Sequence, residues 1–271
     1  MKALVRSGGW AGALLIAATP AHAGCSRPID VPMSPMGPTI AFDGERASGL
    51  YPMLIRELGA ATGCQFHIHR VPRARLQKMF ESGQADLLAP AAHAVSRDGL
   101  GEFVPLVQVR ASALTITRDR PPLQSLAELL ARRTEKVAVV RGLSYGPAYD
   151  HALATLRAQQ RLIEEPDPAG VARTLRQGLA QTTVMTAHLF FGTLGQEADL
   201  APLARQLRVE PLAELGWTES GVYLSLNRLG EPDRRLLAGA LRQSARSGRV
   251  WQLFGSHYPA GSLDGSVRPL P

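Results

Sequence analysis

Apolar residues along this chain fall alternately into short strand-length runs and into runs spaced three and four apart, which predicts strands separated by amphipathic helices. Pro28 to Val31 reads as the first strand. The proline-rich stretch after it, PMSPMGPTIAFDGE, is too irregular for a regular element and falls where a first ligand-contacting loop belongs. Leu50, Met53, Leu54, Leu58 and Ala61 then line one face of a helix over 50–62, with Gly63 as its C-cap. In Gln65 to Arg70 only Phe66 and Ile68 alternate as apolar residues, so this strand has one solvated face. Leu76, Met79 and Phe80 mark the inner face of a second helix, closed by Gly83. Ala85 to Ala89 is a short buried strand, stopped by Pro90 before a loop that carries His93, Ser96 and Arg97.

Val107 to Thr117 alternates like a long strand and ends in the charged break RDRPP, read here as the crossover to a second lobe. Ser125 and Glu128 form a capping box for the helix LAELLAR, and Lys136 to Val140 is the strand after it. RGLSYGPAYD follows: a glycine turn with Ser144, then Pro147 at a helix start, which aims free backbone N–H groups at whatever lies above. Arg161 to Glu164 is a weak strand, and Pro168 opens a helix with Val171, Leu175 and Leu179 inward. Thr182 to Met185 is the next strand, with Thr186 and His188 just past its end. Leu207 and Val209 mark a short strand, and Gly221 to Leu226 a return strand. Helices over 233–245 and 250–258 bury Leu236, Leu237, Leu241, Trp251 and Phe254, and the small, polar tail from Ser262 is expected to be disordered.

Both halves repeat a strand–helix–strand logic, which gives the α/β class. Met1 to Ala23 has a basic start (Lys2, Arg6), an apolar run and the A-x-A site Ala21-His22-Ala23, the pattern of a secretory signal peptide. The mature chain is then expected to begin at Gly24, outside the cytoplasm. Cys25 follows directly, but a lipobox wants an aliphatic residue where His22 stands, so lipid anchoring is the lesser reading. The remaining length of roughly 250 residues exceeds one compact core and suits two lobes. The two cysteines, Cys25 and Cys64, each precede a strand. In an oxidising compartment a pair is expected to be bridged, and closing that loop is worth about 4 kcal/mol in the chain-entropy model.

The formal charge is +7, including Lys2 and Arg6 of the leader. The arginines are dispersed and aromatics are scarce, which argues against nucleic acid and for a mildly basic protein with an anion-binding cleft. Two cysteines are too few for a zinc site, and His67 and His69, alternating on one strand face, have no third ligand in register, so no metal and no cofactor is expected. Arg97 has the most to offer in the loop past its strand, because its planar fork can hold a carboxylate by two parallel hydrogen bonds. In an open α/β sheet that loop is where ligands dock.

With these residues in hand, the chain resembles the family 3 periplasmic solute-binding proteins, the receptors of polar amino acid uptake systems. SGLYPMLIRELGAATG is similar to the family's first helix, and FESGQADLLAPA to its "aliphatic, glycine, x, x, Asp" helix-to-strand turn. RDGLGEFVPLV resembles the ligand arginine ahead of the "Phe-Ser-x-Pro" strand, VAVVRGLSYG the "glycine, x, Ser/Thr" turn of the second lobe, and SGRVWQLFGSHY the closing helix. The resemblance implies a two-lobed type 2 periplasmic-binding fold with two crossover strands forming a hinge. Lobe 1 is expected over 24–112 and 220–271, lobe 2 over 113–219. It implies Arg97 on a ligand carboxylate, Ser144 sharing it, and Ser96 and His93 nearby. The family's ammonium-binding aspartate appears here as Thr186, and its lobe 2 turn aspartate as Gln181. The stacking aromatic has no counterpart in RVPRAR, where Arg73, or else Arg70 or Arg75, faces the cleft instead. Either Glu219 or Asp43 holds an ammonium, or the ligand is not an α-amino acid.

The function this implies is a monomeric, non-enzymatic receptor that captures a small carboxylate-bearing solute and presents it to a membrane ABC permease. The alternatives are a periplasmic enzyme on the same fold, similar to cyclohexadienyl dehydratase, with His93 or His188 as acid or base, and a soluble ligand-sensing module.

Overall fold

The computed structural model describes residues 24–116 and 120–271. The expected leader, Met1 to Ala23, and the start of the charged break at 117–119 lie outside the described residues. Strand β1 (Ile29–Met33) is followed by a small hairpin, β2 (Ala41–Asp43) and β3 (Arg46–Ser48), then by α1 (Leu50–Thr62), β4 (Phe66–Arg70), α2 (Arg73–Glu81) and β5 (Leu87–Ala92). Next come β6 (Gly101–Val109), β7 (Ala111–Thr115), α3 (Leu126–Ala131), β8 (Val137–Val140), α4 (Pro147–Ala158), β9 (Leu162–Glu165), α5 (Pro168–Arg176), β10 (Thr182–Thr186) and α6 (Ala187–Gln196). The chain closes with β11 (Arg208–Pro211), β12 (Thr218–Ser225), α7 (Glu231–Arg246), α8 (Arg249–His257) and β13 (Val267–Arg268).

These elements build two lobes. In the first, β1 pairs with β4, and a four-stranded sheet runs β13-β6-β12-β5; in the second, one sheet runs β11-β7-β10-β8-β9. The chain leaves the first lobe at Arg110 between β6 and β7, not at the RDRPP break, so the long strand expected from Val107 divides there between two sheets; it returns across 212–217 between β11 and β12. The centre of the second sheet is buried throughout, from Val137 to Val140 and from Thr182 to Thr186, as strands covered on both faces must be. Buried apolar contacts run without a break from Ile29, Leu54 and Leu241 in the first lobe to Met185, Phe190 and Leu194 in the second.

The first lobe is tied together where α2 meets β5. Asp86 is fully buried and accepts from both terminal nitrogens of Arg27 (2.7 and 2.8 Å), from the backbone N–H of Asp30 (2.7 Å) and from Arg228 Nε (3.0 Å). Burial pushes its pKa up, but the hydrogen bonds from Arg27, Asp30 and Arg228 outweigh that and hold it below the usual carboxylate range. In the second lobe Gln181 keeps the backbone part of this arrangement: its Oε1 accepts from the N–H of Lys136 at the head of β8 (2.9 Å). The acid is replaced, but the acceptor is not. Cys25 and Cys64 form a disulfide at the head of the parallel β1–β4 pair.

Several local expectations are corrected. Pro90 does not stop β5 but lies within it; β5 is an edge strand and its register with β12 shifts beside Pro90, where a missing N–H breaks no ladder bond. The first loop contains the β2–β3 hairpin. Leu179 is 55% exposed, because α5 ends at Arg176 and Gly178, at φ +72°, turns the chain so that Ala180 points inward instead. The stretch AHLFFGTLGQ forms α6, which its almost continuous apolar character concealed. The tail is ordered: Ser266 O accepts from the N–H of Arg110 (2.9 Å), Gly265 O from Arg110 Nε (3.1 Å), and β13 pairs with β6. Arg110 and Arg268 then flank the Trp217 ring, at 5.2 and 4.3 Å from its centroid, so the tail spans both crossings between the lobes.

Candidate functional site

Between the lobes lies a cavity of about 60 Å³, small enough to restrict a guest to a small solute. Its apolar wall comes from Met36, Val107, Val109, Leu143, Leu189 and Phe254. Its polar groups are supplied by the N-terminal turns of helices and by strand ends: Tyr51 at the start of α1, Arg73 at the start of α2, Ser144 and Tyr145 in the turn after β8, Thr186 at the end of β10, His188 in the first turn of α6, and Ser220 in β12. No aspartate or glutamate is among the lining residues.

Arg73 carries the charge of the site. It is 6% exposed, and its Nε and Nη1 are buried without a hydrogen-bond partner. Burial lowers its pKa to about 10, helped by the neighbouring charge of Arg97, so it stays cationic at neutral pH. A buried guanidinium with unanswered donors and no counter-ion is costly, and an anionic guest is what it lacks. Arg97 is also buried, but it is not in the cavity wall: Nη2 donates to Ala92 O (2.6 Å) and the guanidinium lies 5.1 Å from the centroid of Tyr223. The Tyr223 hydroxyl accepts from the N–H of Ala94 (2.8 Å) and donates to Ala94 O (3.2 Å), pinning the loop that bears Arg97.

The remaining polar groups are held in place by hydrogen bonds and packing. Tyr51 is hydrogen-bonded to Ser220, and burial raises its pKa and that of Tyr145, so both phenols keep their protons. The Tyr145 hydroxyl accepts from the Thr186 N–H (3.4 Å). Ser144 donates to Asp150 Oδ2 (2.8 Å) and accepts from the N–H of Gly146 (3.2 Å), an arrangement that braces the turn before α4. His188 is buried in a T-shaped contact with Phe254 and Tyr258, and burial depresses its pKa to about 3, so the ring is neutral. The backbone N–H of His188 donates to Ser266 Oγ (3.0 Å), and the same oxygen lies 2.6 Å from His188 Nδ1, which engages that ring nitrogen.

Of the residues singled out by sequence, the structure brings Arg73, Ser144, Thr186 and His188 to the cavity and buries Arg97 beside it. His93 and Ser96 are exposed, with His93 Nε2 2.9 Å from Asp98 Oδ1; Glu219, Asp43, Arg70 and Arg75 are also exposed. Sequence reasoning missed Tyr51, Tyr145 and Ser220. Tyr145 lay in plain view inside RGLSYG, the turn already read as facing a ligand, and Tyr51 inside SGLYPM, read only as the start of the first helix.

The lobes meet over the cavity. A side chain on Gly142 would put its Cβ 2.9 Å from Ala74 Cα, and one on Gly192 would come within 2.8 Å of both Pro38 and Tyr258. These contacts join second-lobe elements to first-lobe ones, so the cleft is closed.

No protein-family model and no curated protein matches this sequence. Among solved structures the chain is similar in fold to a mutant of ArgBP from T. maritima, with a TM-score of 0.68 and 14% identity over 84% of this chain and 94% of that one. EhuB in complex with hydroxyectoine gives 0.68 and 15%, over 88% and 92%. A histidine kinase sensor domain with similarity to periplasmic binding proteins gives 0.66 and 19%, over 90% and 98%. The chain thus has the two-lobed fold of the substrate-binding proteins of amino acid ABC transporters.

Proposed function

We propose that this protein is an extracytoplasmic receptor that closes over a small organic anion carrying no ammonium group and delivers it, as a monomer, to a membrane ABC permease. One observation carries the reading: Arg73 presents unpaired buried donors to a closed cavity in which no carboxylate is available for a cation. A zwitterionic amino acid would satisfy Arg73 but leave its ammonium desolvated against Thr186, a hydroxyl that cannot neutralise it. Arg97, Ser144 and Thr186 shape and brace the site around Arg73. The lobes divide within a few residues of the bounds expected from sequence and turn about Arg110 and the 212–217 segment. Against an enzymatic role stands the lack of an acid in the wall and the neutral His188, whose Nδ1 is already engaged.

Mass spectrometry of the solute that co-purifies with the exported protein identifies a candidate, and calorimetric titration with aliphatic carboxylic acids and their α-amino counterparts tests the class. The acids are expected to bind at least about tenfold more tightly. An amino acid binding tighter than its deaminated analogue overturns the reading. The likeness to the kinase sensor domain favours a sensing role as the second reading; uptake of the labelled solute by vesicles containing the permease, restored by adding this protein, decides between them.

A further inference from the structure

On the outer face of the β1–β4 pair three side chains of metal-ligating type converge. Asp30 and His67 are register partners across the parallel ladder, and His69, two residues on, projects from the same face. His67 Nδ1 lies 3.4 Å and His69 Nδ1 3.3 Å from the same oxygen, Asp30 Oδ1, and the three ligand atoms lie within 4.8 Å of one another. These separations are long for hydrogen bonds. The two histidine-to-carboxylate separations match two edges, about 3.4 Å each, of a tetrahedron drawn with metal–ligand bonds of about 2.1 Å.

A second observation points the same way. His69 Nδ1 is buried and has no hydrogen-bond partner, which leaves a ring nitrogen aimed at the carboxylate with its bonding capacity unused. The two rings stack at 5.4 Å and 27°, and both Nδ1 atoms approach the same Asp30 oxygen. The frame is stiff: the Cys25–Cys64 disulfide closes the head of the two strands, and the backbone N–H of Asp30 is held by Asp86.

We propose that Asp30, His67 and His69 form a site for one divalent transition-metal ion of the zinc, copper and nickel class. Two imidazoles and a carboxylate are the donor set that such ions take and that magnesium, which prefers oxygen alone, does not. The His67 side chain is 73% exposed, so the fourth position opens to solvent. The third ligand was invisible in sequence because Asp30 lies far from the histidines along the chain and joins them only through the pairing of β1 with β4.

The test uses the mature protein freed of metal with a chelator. Zinc is titrated by calorimetry and cobalt by visible absorption. One ion per chain is expected, with a micromolar or tighter dissociation constant, the d–d bands of tetrahedral cobalt, and affinity falling on acidification as the imidazoles take up protons. Asp30→Asn, His67→Ala and His69→Ala should each weaken binding by about tenfold or more, while His93→Ala leaves it unchanged. All four positions are on the surface or at a strand edge, and circular dichroism checks each fold. Absence of zinc and cobalt binding, or binding that survives His69→Ala and Asp30→Asn, overturns the site and leaves a surface histidine–aspartate ion pair.

Discussion

Arg73 enters the cleft from the first turn of α2 because Arg70 and Arg75, its neighbours in RVPRAR, fall on exposed positions while position 73 faces inward. If it is the anion's main partner, Arg73→Ala should cost about 2–5 kcal/mol of binding, roughly thirty-fold to several thousand-fold in affinity by calorimetry. Arg73→Lys should recover only part, since an ammonium keeps the charge and loses the fork. A folded Arg73→Ala protein with native affinity would refute that role. His188 sets a second prediction. Its folded pKa of about 3 lies below the ordinary histidine value of 6.5, so below pH 6.5 the unfolded chain takes a proton that the native state refuses. Its contribution to stability is complete above that pH and is lost as pH falls toward 3. Urea unfolding between pH 6.5 and 4.5 should show a His188 contribution to the slope that approaches one proton, about 1.4 kcal/mol per pH unit, toward the lower pH, and His188→Gln should reduce the slope by that amount. Sequence alone marked Arg73 as one of three arginines and His188 as one loop histidine. Which of them turns inward depends on helix phase against the opposite lobe, and that is not encoded locally.

At the scale of elements, α6 shows what periodicity can and cannot convey. Its apolar residues face the β10 side of its own lobe and also the other lobe, so no polar stripe remains to reveal a helix. Gly192 marks the contact between lobes. Alanine there should favour the isolated helix by about 1 kcal/mol, yet its methyl would collide with Pro38 and Tyr258 in the closed cleft. Gly192→Ala is therefore expected to leave thermal stability intact without ligand while weakening ligand affinity about five- to a hundredfold, because overpacking of that order disfavours closure. Unchanged affinity would mean that Pro38 and Tyr258 yield freely. By contrast, α1 with its Gly63 cap, the Ser125 cap of α3 and the fully apolar β8 were legible, since each rests on interactions within a few residues. The tail was not: Ser266 and Val267 are ordered by docking onto β6 and α6, contacts more than seventy residues away along the chain.

For the whole molecule, the two-lobed plan was readable because it repeats one strand–helix rhythm twice. The ordering of the hinge was not, because it depends on the last residues returning to both crossings. That arrangement gives the protein an optical gauge. Trp217 sits on the return crossing between the guanidinium groups of Arg110 and Arg268, one from the outgoing crossing and one from the tail. Trp10 falls in the expected leader and Trp251 is the other indole in the chain. With Trp251→Phe in place, emission from the mature protein would come from Trp217 alone. A twist of the two crossings should change its spacing from the cations and hence its quantum yield. Stopped-flow fluorescence of that variant should then follow lobe closure directly, and an emission unmoved by saturating ligand would indicate that residues 212–217 carry no part of the rotation.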